Sequence, residues 1–154
     1  MQKCHTWSME KIEIQQLDDE LSFKLYTLNR LIQQTYTTYL TPLNITYPQY
    51  LVMKILMEKD EVPVNLISAR LMLESNTVTP ILQRMERQEL VERTIRCSDQ
   101  RQRIISLTAK GEAMRQDVAE ISVKVATALS EMDMNCTIAH MLKGILNEVI
   151  QKIS

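Results

Sequence analysis

Apolar residues recur at three- and four-residue steps along most of the chain. Leu21, Leu25, Leu28, Ile32 and Tyr36 form one such stripe. It predicts a helix that begins near Glu20, is capped by Asp18 or Asp19, and ends at Pro42. Thr46-Tyr47-Pro48 is a second start signal, because a proline in the first helical turn gives up no intrahelical bond. Gln49 to Lys59 is apolar on most sides, the pattern of a buried helix. Asp60-Glu61-Val62-Pro63 breaks it, and Val64 to Leu73 predicts a short helix with Leu66, Ile67, Ala69, Leu71 and Leu73 available for packing.

After the turn Leu73-Glu74-Ser75 the pattern sharpens. Val78, Ile81, Leu82 and Met85 make one apolar stripe, while Asn76, Thr79, Pro80, Gln83 and Arg87 leave the opposite face polar but barely charged. With a start near Asn76 or Thr77, Pro80 falls in the first turn and removes at most one backbone bond. Two short helices joined by a tight turn, the second polar outside, predict a helix-turn-helix. Leu90 to Arg96 and Gln102 to Leu107 are rich in β-branched residues and flank the polar turn 97–101, which predicts a hairpin and hence a winged unit. Thr108 caps a long helix reaching about Ser130. Asp133 caps a last one, striped by Ile138, Leu142, Ile145, Leu146, Val149 and Ile153.

The fold class is therefore mainly α with a small β-hairpin wing. A winged helix-turn-helix lobe spans 47–107, dimerisation helices span 18–46 and 108–154, and a loose arm covers 1–17, all in one continuous domain. The flanking helices are apolar beyond what the lobe can cover, which predicts an isologous two-fold dimer.

Composition narrows the chemistry. A chain of 154 residues that is 45% hydrophobic and 24% charged suits one globular domain. Its two glycines exclude a dinucleotide fingerprint and a P-loop, each of which needs a glycine cluster. The three cysteines, Cys4, Cys97 and Cys136, have no metal-ligand spacing and suit a reducing cytoplasm. No apolar run approaches a membrane span, and the N-terminus lacks a signal-peptide core. His5 and His140 belong to no acid–base or nucleophile constellation. The expectation is a non-enzymatic protein with no cofactor and no metal.

A net charge of -1 excludes a globally basic nucleic-acid binder, so local arginines matter more than their number. Arg93, Arg96, Arg101 and Arg103 supply such a patch on the hairpin, against the single acid Asp99. Asp99 is placed to pair with Arg101 or another wing arginine and hold the tip in shape. The hairpin suits a narrow minor groove, and the polar helix face suits a major groove. Ser75, Thr77, Thr79, Pro80, Gln83 and Arg84 are the candidate groove or phosphate contacts, with Arg93, Arg96 and Arg101 on the wing. A dimer sets two such helices about one DNA turn apart, which calls for a palindromic site.

All five tyrosines, Tyr26, Tyr36, Tyr39, Tyr47 and Tyr50, lie in the first third of the chain. Ser22, Tyr26 and Tyr36 share a sector of the first helix within about 80°, yet Ser22 and Tyr36 are roughly 21 Å apart along its axis. They meet only across a dimer with antiparallel first helices. Aromatics packing a dimer seam with wet hydroxyls is an equally open reading.

The order of elements resembles the MarR family of bacterial transcription regulators. The segments LTPLNITYPQYLVM and LESNTVTPILQRMERQELVERT, with Asp99-Gln100-Arg101, resemble its organic-hydroperoxide-sensing OhrR branch. The resemblance covers about residues 18 to 115. It implies a reactive cysteine in L-C-F-x-L-Y, where this chain has Leu21-Ser22-Phe23-Lys24-Leu25-Tyr26, so Ser22 stands at the redox-sensing position. It also implies a sensing pocket of Tyr26, Tyr36 and Tyr47, completed from the partner subunit. Cys136 lies near the place of a resolving thiol. A serine hydroxyl stays protonated at neutral pH and is not oxidised as a thiolate is. Ser22 is thus either an engineered replacement holding a reduced-like state, which the retained tyrosines favour, or the mark of a lost sensor. Asn76 and Glu89 stand where the family often has glycine. Asn76 is tolerable in a left-handed conformation, and Glu89 is harder to place.

The expected function is a cytoplasmic homodimeric repressor on a palindromic operator, with organic hydroperoxide as signal only if residue 22 is Cys. Two alternatives stay open: a MarR-type repressor released by a phenolic or aromatic ligand in a dimer-interface pocket, and a winged-helix module for protein–protein contact.

Overall fold

The computed structural model describes residues 16–96, 99–131 and 136–153, with the side chains of 96–102, 131–139 and 153 outside that description. The arm over 1–15, Cys4, Cys97 and the Asp133 cap lie outside the described residues, as do the side chains of Arg96, Asp99, Arg101 and Cys136. Two compact units divide the chain, Met1–Gln33 and Gln34–Ser154.

In the first unit a short 3-10 turn, Leu17–Asp19, precedes helix α1, Leu21–Leu40, whose residues from Gln34 onward belong to the second unit. Asp18 and Asp19 lie within that turn, and Glu20 stands between them and the first residue of α1.

The second unit continues with α2 (Tyr47–Glu58), β1 (Val62–Pro63), α3 (Val64–Leu71), α4 (Ser75–Arg87), β2 (Val91–Arg96), β3 (Asp99–Leu107), α5 (Ala109–Ala113), α6 (Arg115–Glu131) and α7 (Cys136–Ile153). Helix α2 is the core element that the pattern predicted. Tyr50, Val52, Met53, Ile55 and Leu56 are all buried, and they meet Ile67 of α3, Val78, Leu82 and Met85 of α4, and Val118, Ile121 and Val125 of α6 in one cluster. On α3 the packing set is narrower than expected. Leu66, Ala69 and Leu73 are exposed, and Ser68 takes a buried place instead.

The sheet is three-stranded and antiparallel in the order β1-β3-β2. Val62 and Pro63, read from sequence only as a helix break, pair with Ile105 and Ile104. A two-residue strand carries no periodicity, so only its partner reveals it. The hairpin is longer than expected, with a register irregularity between Ile95 and Arg96. The long helix after Thr108 is divided at Met114. Thr108 does cap it, its hydroxyl accepting from the Gly111 N–H at 3.1 Å. A Cβ on Gly111 would lie 2.1 Å from the Leu90 carbonyl oxygen, so this close approach of α5 to the residue before β2 requires glycine.

Tight turns among the described residues use left-handed residues other than glycine: Asn44, Met72 and Glu89 at helix ends, and Glu61 before β1, have φ of 54, 53, 58 and 57°. Glu89 follows α4 in a Schellman arrangement, with Leu90 N–H donating to the Met85 carbonyl and Glu89 N–H to the Glu86 carbonyl, both at 2.9 Å. That geometry favours glycine at position 89. Asn76, by contrast, is helical within α4, so its expected left-handed role does not arise.

Candidate nucleic-acid interface and tyrosine cluster

Helix α4 begins at Ser75, earlier than the sequence suggested, so Pro80 is its sixth residue and not in its first turn. The proline withholds one N–H, the one that would have met the Asn76 carbonyl. Thr79 turns its hydroxyl back to the Ser75 carbonyl at 2.7 Å. Val78, Leu82 and Met85 face the core with no exposure. Ser75, Thr77, Pro80, Gln83, Arg84 and Arg87 are exposed, and Thr79 is half-buried. The outer face thus presents hydroxyls, an amide and guanidinium groups, with no acid among them.

The wing arginines divide. Arg103 is exposed. Arg93, on the hairpin as expected of a wing residue, is half-buried, with Nη2 3.3 Å from Glu86 Oε2 on α4. It ties β2 to the last turn of the helix.

Tyr36 and Tyr47 lie together, with ring centroids 4.8 Å apart. Tyr50 joins them, 5.4 Å from Tyr36 and 6.1 Å from Tyr47. The Tyr50 hydroxyl is 2.7 Å from the Ser122 hydroxyl of α6. Burial, followed by the neighbouring Tyr50 and Tyr47 rings, pushes the Tyr36 phenol up to about 12. Burial and Tyr50 raise Tyr47 as well. The Tyr36 and Tyr47 phenols are therefore held protonated at neutral pH. Tyr50 was legible as a buried α2 residue but not as a member of the cluster; Ser122 carried no signal. In the first unit Ser22 is exposed and donates to Glu20 Oε2 at 3.3 Å, and Tyr26 is exposed.

A cleft of about 200 Å³ in the second unit is lined by Thr38, Tyr39, Pro42, Leu43, Asp117, Ile121 and Lys124. Among the described residues no cluster of His, Cys, Asp and Glu has metal-binding geometry, and no helix is long and apolar enough to cross a membrane.

A buried-core helix pair, an outward polar helix and an adjoining hairpin define a winged helix-turn-helix DNA-binding regulator. The family model described as "MarR family" matches residues 45–102. The organic hydroperoxide resistance transcriptional regulator of Bacillus subtilis is 38% identical over 111 residues, 72% of this chain and 76% of that one. The regulator MgrA of Staphylococcus aureus is 38% identical over 115 residues, 74% of this chain and 78% of its own. The reduced, DNA-bound structure of AbfR, a protein of Staphylococcus epidermidis, aligns with a TM-score of 0.73 at 33% identity, covering 90% of this chain and 95% of that one. The chain belongs to the MarR family, whose members here are transcription regulators and not enzymes. That membership sets aside the reading as a module for protein contact alone.

Proposed function

We propose that the protein is a homodimeric repressor of organic-peroxide or oxidative-stress genes, acting in the bacterial cytoplasm on a palindromic operator. The observation that carries this reading is the exposed, acid-free outer face of α4. Ser75, Thr77, Thr79, Pro80, Gln83 and Arg84 meet base edges and phosphates in the major groove. Arg96 and Arg101 serve the minor groove, with Asp99 holding the tip, while Arg93 acts from behind by fixing Glu86. The second copy of the chain packs on the exposed apolar residues of α7, including Met141, Ile145, Val149 and Ile150.

Similarity to the hydroperoxide resistance regulator supports a peroxide signal at residue 22. A cysteine thiolate there attacks the peroxide, the O–O bond breaks, an alcohol leaves, and the sulfur becomes a sulfenic acid. A second thiol, with the partner subunit's Cys136 as candidate, then condenses with it and releases water. Ser22 cannot take the first step, so this chain holds the reduced-like, DNA-competent state.

The test compares the Ser22 protein with Ser22→Cys on a duplex selected by the protein from a random-sequence pool, before and after cumene hydroperoxide. Release from DNA by Ser22→Cys alone is the expected result. If that variant keeps its affinity under oxidant, the peroxide reading fails. A second reading rests on the cleft beside Tyr39, whose aromatic ring, with Pro42, Leu43 and Ile121, suits a small phenolic or aromatic compound, although Asp117 lines it too and Lys124 is paired with Glu120 at 3.0 Å. DNA release by such a compound from the Ser22 protein, with no thiol involved, is its signature.

A further inference from the structure

Gln49 is 3% exposed, one of only two buried polar residues among those described, and it is joined to the far end of α4. Thr46 N–H donates to Gln49 Oε1 at 2.8 Å. Gln49 Nε2 donates to Gln88 Oε1 at 2.8 Å, and Gln88 Nε2 donates to the Asn44 carbonyl at 2.8 Å. The run starts at a backbone donor and ends at a backbone acceptor, so both amide orientations are set by chemistry. Each side chain must accept on one side and donate on the other. Glutamine does both, and glutamate does not.

The two ends differ in what they carry. Residues 44–49 form the turn into α2 that presents Tyr47 and, one residue on, Tyr50. Gln88 is the C-cap of α4, its N–H donating to the Arg84 carbonyl at 3.0 Å. Its own carbonyl accepts from Lys110 Nζ at 2.8 Å. The end of the DNA-reading helix is therefore pinned to the tyrosine-bearing turn by directional bonds, beside the Arg93–Glu86 ion pair to β2 and the apolar packing of Val78, Leu82 and Met85. Packing alone tolerates small slides and rotations, and a base-reading face does not.

We propose that Gln49 and Gln88 are a positioning pair for DNA recognition: their amide bridge fixes the rotation of α4 against the tyrosine-bearing start of α2. The proposal rests on reading α4 as the DNA-reading helix.

The experiment measures affinity for the pool-selected duplex, with thermal unfolding recorded for every variant. Gln49→Glu keeps the acceptor for Thr46 but loses the donor toward Gln88. Gln88→Lys keeps a donor for Asn44 but sets it against the Gln49 amide nitrogen. Each single change is expected to lower affinity about tenfold, the scale of one lost buried hydrogen bond. Together they restore an acceptor facing a donor, and the double variant is expected to return to within about threefold of the unchanged protein. A double variant as weak as the two singles multiplied overturns the proposal, as do singles whose affinity falls only in step with their melting temperature, since that is the mark of a merely structural bridge. Gln88→Ala covers the case in which Gln49→Glu does not fold, since residue 88 is half-buried and water can replace its amide. A folded Gln88→Ala protein with unchanged affinity overturns it equally. If Arg84→Ala also leaves affinity unchanged, the reading of α4 has failed; if only Arg84→Ala weakens binding, the bridge alone has.

Discussion

Helices α4 and α7 both turn one face outward, and the two faces are chemically opposite. On α4 the outer residues are Ser75, Thr77, Pro80, Gln83, Arg84 and Arg87; on α7 they include Met141, Ile145, Val149 and Ile150, with Ile145 58% exposed. Neither face is explained by the chain's own core, which takes Val78, Leu82 and Met85 from α4. A face of donors and guanidinium groups loses little by meeting water and gains by meeting an anionic, acceptor-rich surface. A run of exposed isoleucine and valine gains only by burial against another apolar surface. The pair therefore asks for two partners, DNA on one side and a second copy on the other.

The strongest way to break the comparison is to give α7 a charge. Ile145→Asp leaves the lobe's core intact but puts a carboxylate in the proposed seam, where an unpaired buried charge costs about 3–5 kcal/mol. Dimer dissociation is expected to rise at least about a hundredfold by sedimentation, and affinity for DNA falls with it because two linked lobes become two single ones. A dimer unchanged in strength would remove α7 from the seam.

The complementary change is made on α4. Arg84→Ala or Gln83→Ala is expected to cost about 1–3 kcal/mol of DNA binding each, with dimerisation and melting temperature unaltered because both side chains are exposed. Binding that weakens equally on all duplexes identifies a phosphate contact; a change in preferred sequence identifies a base contact. If dimerisation falls instead, the two faces are not independent.

Much of this comparison was legible in the sequence. The α4 stripe of Val78, Leu82 and Met85 and the buried character of α2 follow from periodicity, because amphipathic burial leaves a regular mark. What escaped was whatever depends on a partner distant in the chain. Strand β1 exists only through Ile104 and Ile105, Tyr50 joins the cluster through rings on two helices, and Gln88 matters through residues 44–49. The Thr46-x-x-Gln49 spacing was a readable capping signal, yet nothing local shows the second half of that amide turned toward Gln88. The helix boundary also misled: starting α4 at Asn76 or Thr77 put Pro80 in the first turn, where the observed start at Ser75 does not.

Helix ends sharpen the comparison on a smaller scale. Glu89 is 81% exposed at its side chain and holds φ of 58° beside an exposed lysine 3.7 Å away. Glu89→Gly removes the left-handed strain, about 1–2 kcal/mol, and returns part of it as unfolded-state entropy. A net gain of about 0.5–1 kcal/mol in urea unfolding is expected, with no change in DNA affinity because the residue lies beyond the α4 face. Lost affinity would show that the turn after α4 contributes to the reading surface itself.

The smallest effect probes the layer that touches both sides, since α2 packs against α4 and also against α6 through Tyr50 and Ser122. Tyr36 has its phenol raised to about 12, above the value of about 10 for an unfolded chain. The unfolded state therefore releases this proton first as pH rises. The cluster's contribution is fully present below about pH 10 and is lost progressively between about pH 10 and 12. Tyr36→Phe has no such proton to release, so its melting temperature is expected to fall less steeply across that window than that of the unchanged protein. Because the ring is only about half-buried, solvent screens much of the effect and the difference is expected to be a few degrees at most. Equal slopes would place the alkaline sensitivity in Tyr47, which is also raised, and Tyr47→Phe in the same titration decides between the two rings.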